Sequence, residues 1–105
     1  MKIGLILTSD DPETAWNAIR FGVAALEGGH KVKAFLSGKG VDIETLSDQR
    51  FDVPKMMKLF LEKGGELLAC GTCLKLRKRD PKVCLFSTMS DMLQIVEESD
   101  RVLTF

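Results

Sequence analysis

Apolar positions along the chain fall into two alternating kinds of block, one continuous and one spaced at three and four residues. Ile3 to Leu7 is apolar on both sides of an extended chain and predicts a central parallel strand covered on both faces. Thr8–Ser9–Asp10–Asp11–Pro12–Glu13 follows with an N-cap candidate, a proline suited to a first helical turn and an acidic side chain at the positive helix end. Trp16, Ile19, Val23 and Leu26 then recur at helical spacing until Gly28–Gly29, which predicts a helix over 12–27. Lys31 to Leu36 alternates charged and apolar residues and predicts a second strand, nearer a sheet edge, ending in the turn Ser37–Gly38–Lys39–Gly40.

The stretch 41–52 sets Asp42, Glu44, Asp48 and Asp52 against Arg50 alone, a net charge of −3, and predicts a mostly exposed loop with at most a helical turn. Val53, Met56, Met57, Phe60 and Leu61 share the face of a second helix closed by Gly64–Gly65. Glu66 to Cys70 reads as a third buried strand that ends in a cysteine, and a short helix starts near Gly71 or Thr72, limited by Pro81. Ser90 or Asp91 caps a further helix with Met92, Leu93, Ile95 and Val96 facing inward, and Arg101 to Phe105 closes the chain as a last strand. Helices between successive strands imply right-handed crossovers, hence a single-domain three-layer α/β/α sandwich over 1–105 with a mostly parallel sheet of four to five strands.

A chain of 105 residues suffices for one domain, and 45% apolar with 29% charged residues is the balance of a globular chain. Fifteen Lys and Arg cancel fifteen Asp and Glu, so there is no general positive field, and no aromatic–basic interleaving; a direct nucleic-acid role is excluded. No apolar run approaches the roughly 18–20 residues that span a bilayer. No small-residue cleavage site follows the first apolar run, so a cytoplasmic protein without a membrane role is expected. Three cysteines, two of them close together, do not form a disulfide framework, and reduced thiols are expected.

Sites in such sheets form beyond the carboxyl ends of the strands, and that edge collects 8–11, 37–40 and 70–73. Thr8, Ser9, Asp10, Gly38, Gly71 and Thr72 are therefore candidate substrate-binding residues, although capping the first helix is the simplest role of 8–11. Cys70–Gly71–Thr72–Cys73 is the most informative motif, with Cys70 and Cys73 as candidate catalytic thiols. A thiol at a helix N-terminus meets unpaired N–H groups and the positive dipole end, which favour the reactive thiolate, and the i, i+3 spacing brings both sulfurs to one side. Lys75, Arg77, Lys78, Arg79 and Lys82, opposed only by Asp80, carry a local charge of +4 and make Lys75, Arg77 and Lys78 candidate partner-docking residues. The competing explanation is a packed strand cysteine followed by a solvated basic helix face.

A zinc site would need His30 and Cys84 beside Cys70 and Cys73, yet His30 precedes the second strand at the opposite edge, roughly 15–20 Å away at ~3.3 Å per residue. No metal is expected. Cys84, in Val83–Cys84–Leu85–Phe86, reads as a buried small hydrophobe. Ser37–Gly40 lacks the spacing of a phosphate loop.

The start Met1 to Asp11, the Trp16-bearing helix, the glycine-rich turn after the second strand, the cysteine ending the third and the closing strand Asp100 to Phe105 together resemble the DsrE/DsrF-like (YchN-like) family over nearly the whole chain. The resemblance implies a sulfur-relay role in which a cysteine at this junction takes a persulfide sulfur from a donor and passes it on; Cys70 is the matching position. Leu74, Leu76 and Arg77 approximate the family's following helix, its usual Arg–Gly ending is here Arg79–Asp80, and Cys73 has no counterpart in the pattern. The resemblance further implies a homo-oligomer, trimeric or hexameric, meeting sulfur donor and acceptor proteins, and the transfer itself needs no cofactor. Two other functions stay open: a dithiol redox protein cycling Cys70 and Cys73 through a disulfide, and a non-enzymatic binding module.

Overall fold

The computed structural model describes residues 1–105. Its elements run β1 (Lys2–Leu7), α1 (Pro12–Glu27), β2 (Lys31–Leu36), a 3₁₀ segment (Gly38–Thr45), α2 (Val53–Glu62), β3 (Glu66–Cys70), α3 (Gly71–Leu76), β4 (Leu85–Ser87), α4 (Met89–Glu98) and β5 (Arg101–Thr104). The five strands form one parallel sheet in the order β4-β3-β2-β1-β5. Alternation along β1 assigns the layers. Gly4 lies beneath Ile95 of α4 and Ser99, which follows it, whereas its neighbour Leu5 packs toward Gly22 of α1, so α1 and α4 cover opposite faces. The α/β/α sandwich expected from the sequence is the observed fold.

The sheet order places β2 in the middle, between β1 and β3, and not near an edge. Its alternating charges mislead because Lys31 and Lys33 lie at the amino end, where Lys33 pairs with Glu66 and Glu98, while Ala34, Phe35 and Leu36 are fully buried. One strand was not foreseen: β4 has three residues, and Leu85 and Phe86 are exposed, so neither length nor burial announces it. Helix α4 starts earlier than expected. Thr88 is its cap, accepting from the Asp91 amide while the Asp91 carboxylate accepts from the Thr88 amide. This start leaves Ile95 buried and Met92 partly buried, and turns Leu93 and Val96 outward, against expectation.

Small residues set how closely α1 sits on the sheet. Ala15, Ala18, Gly22 and Ala25 are buried alongside Ile19 and Val23, while Trp16 and Leu26 lie only partly covered at the flanks. Trp16 meets Phe51 with ring centroids 5.6 Å apart and the planes tilted by 56°. The stretch after Gly38 is no exposed loop: Val41 and Ile43 are buried, and Asp42 and Glu44 both reach toward the α3 side of the molecule.

Register brings the site together. Leu7 pairs with Leu36, Leu36 with Ala69 and Cys70 with Ser87, so the chain leaves β1, β2 and β3 side by side at one edge. Strand order reverses between β1 and β5, the usual place for a binding crevice. Here the amide and hydroxyl of Thr8 both donate to the Phe105 carbonyl and close that gap.

Candidate functional site

The first turn at this edge satisfies its own polar groups. Asp11 caps α1, accepting from the Thr14 amide at 2.9 Å and the Thr14 hydroxyl at 3.0 Å, and Ser9 Oγ accepts from the Asp11 amide. Both bonds from Thr14 help hold the Asp11 carboxyl below its usual range. Thr8 and Ser9 are thus structural, Asp10 is exposed, and none of the three lines the groove beside the thiols.

The second turn reaches the thiols. Ser37 bonds back to the Leu7 carbonyl, and Gly40 packs against that same carbonyl so closely that no side chain fits. Gly38 adopts φ +56°, a left-handed conformation that glycine takes without strain. Its N–H donates to Cys73 Sγ at 3.2 Å, and Ser37 Oγ lies 4.0 Å from the same sulfur.

Cys70 and Cys73 differ in exposure and in charge preference. Cys70 ends β3 and precedes α3; it is 4% exposed and its side chain caps nothing. Burial pushes its thiol up, and the neighbouring Cys73 adds to the shift. The expectation that the helix start would favour a Cys70 thiolate is thereby corrected: α3 has six residues, and desolvation outweighs the N–H groups of Cys73 and Thr72. Cys73 is half-buried. Burial is the largest single influence on it too, but the Cys70 thiol, the Gly38 N–H, Ser37 Oγ and the Arg77 guanidinium together outweigh burial and hold Cys73 below the ordinary cysteine value. All three cysteines are free thiols.

A groove of about 500 Å³ opens beside this pair, lined by Cys70, Gly71, Thr72, Cys73, Lys75 and Phe86 and closed by the start of α4. The Phe86 ring packs on Gly71, and Lys75 Nζ stands 5.6 Å above it. Concavities of similar size at the amino edge, among Lys33, Glu66 and Glu98, and beside Trp16 are lined by no cysteine. His30 belongs to the amino edge, its Nδ1 2.7 Å from the Met1 amino group.

The basic run is less free than its sequence implies. Arg79 Nε bonds Asp42 at 2.7 Å and Arg77 Nε lies 3.4 Å from the same carboxylate. Lys75 and Lys78 remain exposed. Glu44 completes the clamp by accepting from the amides of Lys82, Val83 and Cys84. Asp42 and Glu44 were missed as site-building residues, and only the alternation Val41–Asp42–Ile43–Glu44 hinted that this stretch has an inner and an outer face.

The DsrE/DsrF-like family model matches residues 1–105. An uncharacterised protein of Methanopyrus kandleri is 35% identical over 100 residues, covering 89% of this chain and 83% of that protein. An uncharacterised protein of Methanocaldococcus jannaschii is 33% identical over 114 residues, with both chains fully covered.

Proposed function

The chain belongs to the DsrE/DsrF-like family, and from that premise we propose that it is a sulfur-relay protein, a sulfurtransferase-like carrier of sulfane sulfur as a cysteine persulfide at the Cys70–Cys73 pair. The observation that supports it most directly is the pairing of two free thiols at the carboxyl edge, one of them hydrogen-bonded as an anion would be, on an open groove. Cys70 is the position that matches the family's cysteine. A carrier must be reached by another protein's persulfide, and the groove with Lys75 on its rim is where donor and acceptor would dock. Three reduced thiols fit a cytoplasmic setting. No helix is long and apolar enough to cross a membrane.

Intact-mass spectrometry after incubation with a cysteine desulfurase and cysteine tests this. Wild type should gain about 32 Da, one sulfur, and the double variant Cys70→Ser/Cys73→Ser should gain nothing. A loss of two protons in place of the gain would make the pair a redox dithiol. No change in either protein would leave a binding module.

Self-association is part of the same proposal. Strand β4 leaves one backbone edge unpaired with its Leu85 62% exposed, and Met89, Leu93 and Val96 of the following α4 are exposed as well. Further copies of this chain, in a trimer or hexamer, are the occupants we assign to it. Sedimentation should show an assembly that Leu93→Glu dissociates; a monomeric wild type would end the assignment.

A further inference from the structure

The turn Ser37–Gly38, which the sequence marked only as a failed phosphate loop, bears on which of the two thiols works. We propose that Cys73, and not the family-matched Cys70, is the thiol that takes the incoming sulfur, and that Cys70, almost fully covered one turn away, forms no bond to that sulfur. This deepens the sulfur-relay reading and rests on it. Three observations carry the assignment. The Gly38 N–H points at Cys73 Sγ from 3.2 Å, and Ser37 Oγ stands near the same atom. Cys73 is half-buried and lines the groove, whereas Cys70 is almost fully covered. Finally, the turn is held in place independently of the thiols, by the Ser37 amide on the Leu7 carbonyl and by Gly40 packed against that carbonyl. The donor on Cys73 is therefore built into the fold.

The charged and titratable groups around Cys73 agree. Just past its own helix Arg77 contributes positive charge, partly neutralised by Asp42 of the 3₁₀ segment, and Cys70 lies one turn away. From the turn after β2 it meets the neutral Ser37 and Gly38. The nearest residues of β4, Phe86 and Ser87, carry no charge, and Lys75 is drawn toward the Phe86 ring.

The chemistry then runs as follows. The Cys73 thiolate attacks the outer sulfur of a donor persulfide; a new S–S bond forms, the donor's S–S bond breaks, and the donor leaves as a thiolate. No net oxidation occurs. The resulting Cys73 persulfide is handed on when an acceptor thiolate attacks its outer sulfur and Cys73 leaves as thiolate, stabilised by the same Gly38 N–H. The Cys70 thiol holds its proton throughout.

Two readouts separate this assignment from the carrier proposal it rests on. With glutathione persulfide as the probe, Cys70→Ser should still gain about 32 Da while Cys73→Ser loses on the order of tenfold in sulfur load. The reverse pattern would overturn the assignment. So would a disulfide in wild type, since Cys70 would then be a nucleophile. If no protein takes up sulfur, the relay reading fails, and iodoacetamide alkylation still decides which thiol is the anion. Cys73 in Cys70→Ser should react on the order of tenfold faster at neutral pH than Cys70 in Cys73→Ser, and equal rates would refute the inference.

Discussion

Cys73 and Cys84 are thiols held by opposite ends of the same 3₁₀ segment, and they receive opposite treatment. At its first residue the segment offers Cys73 a backbone N–H, a donor that favours the anion. Six residues later it offers Cys84 a carboxylate, Glu44, which burial and proximity turn into a penalty on any negative charge there. Cys84 is buried, and burial first, then the Glu44 carboxylate, pushes its thiol far up. The difference does not come from the sulfur or from depth alone. Burial weighs most on Cys84, and whether the nearest fixed group donates a hydrogen bond or carries a negative charge then parts the two thiols further.

The widest gap should appear in reactivity. In the native protein at pH 8, iodoacetamide should modify Cys73 at least on the order of 100-fold faster than Cys84, read by peptide mapping over time, because Cys84 is both covered and kept neutral. Comparable rates at the two positions would erase the contrast.

Glu44 is the next point to strike. Its carboxylate accepts from three consecutive amides, and Glu44→Gln, which loses the charge and one acceptor oxygen, should cost about 1.5–3 kcal/mol in urea denaturation. Burial raises the Glu44 carboxyl, but the Cys84 thiol and the amides of Lys82 to Cys84 bring it below the ordinary 4.5. A lowered folded value stabilises above the unfolded value and is lost as pH falls through the folded one. The gap between wild type and Glu44→Gln should therefore narrow below about pH 4.5. A gap that is constant down to pH 3 would show that the charge is irrelevant.

The alkaline limb sharpens the other side. Cys84 titrates far above its ordinary 9.0, so its contribution is complete below pH 9 and is lost as pH rises beyond it, at up to about 1.4 kcal/mol per unit. Cys70 is also raised and acts in the same direction, while Cys73 is lowered and opposes it. Comparing Cys84→Ala with wild type isolates one thiol: the variant should lose stability less steeply between pH 9 and 10.5, and identical slopes would contradict the placement of Cys84 beside Glu44.

What could be read from the sequence followed from local signals. Caps and stops at Asp11, Gly28 and Gly64 delimited α1 and α2, and the apolar runs of β1 and β3 needed no partner to be recognised. The Cys-x-x-Cys motif and its strand-to-helix position were equally plain. The electrostatics were not, because they depend on chain segments more than thirty residues apart. Gly38 lies 35 residues from Cys73, and Asp42 lies 37 from Arg79. Only the folded register brings β2 and β3 side by side and turns an unremarkable Ser–Gly turn toward a thiol. For the same reason the basic run looked free, and β4, three residues whose one strand partner is β3, passed unseen.

The smallest expected effect is also the finest test of whether the two ends of the segment act separately. Asp42 sits between them and carries two guanidiniums, Arg77 and Arg79, all partly exposed at 21–41% of their side-chain surface, where ion pairs contribute little. Asp42→Asn should therefore lower stability by only about 0.5–1 kcal/mol. Its chemical consequence should be one-sided. With its neutralising carboxylate gone, the Arg77 charge acts more strongly on Cys73, so Cys73 alkylation at neutral pH should rise by about two- to threefold, since a nearby cation favours the thiolate. Cys84, screened by Glu44 and by burial, should not change. If Cys73 slowed, or if both thiols moved together, the segment would be acting as one rigid body whose loosening exposes everything it touches, and the contrast between its donor end and its acid end would lose its electrostatic basis.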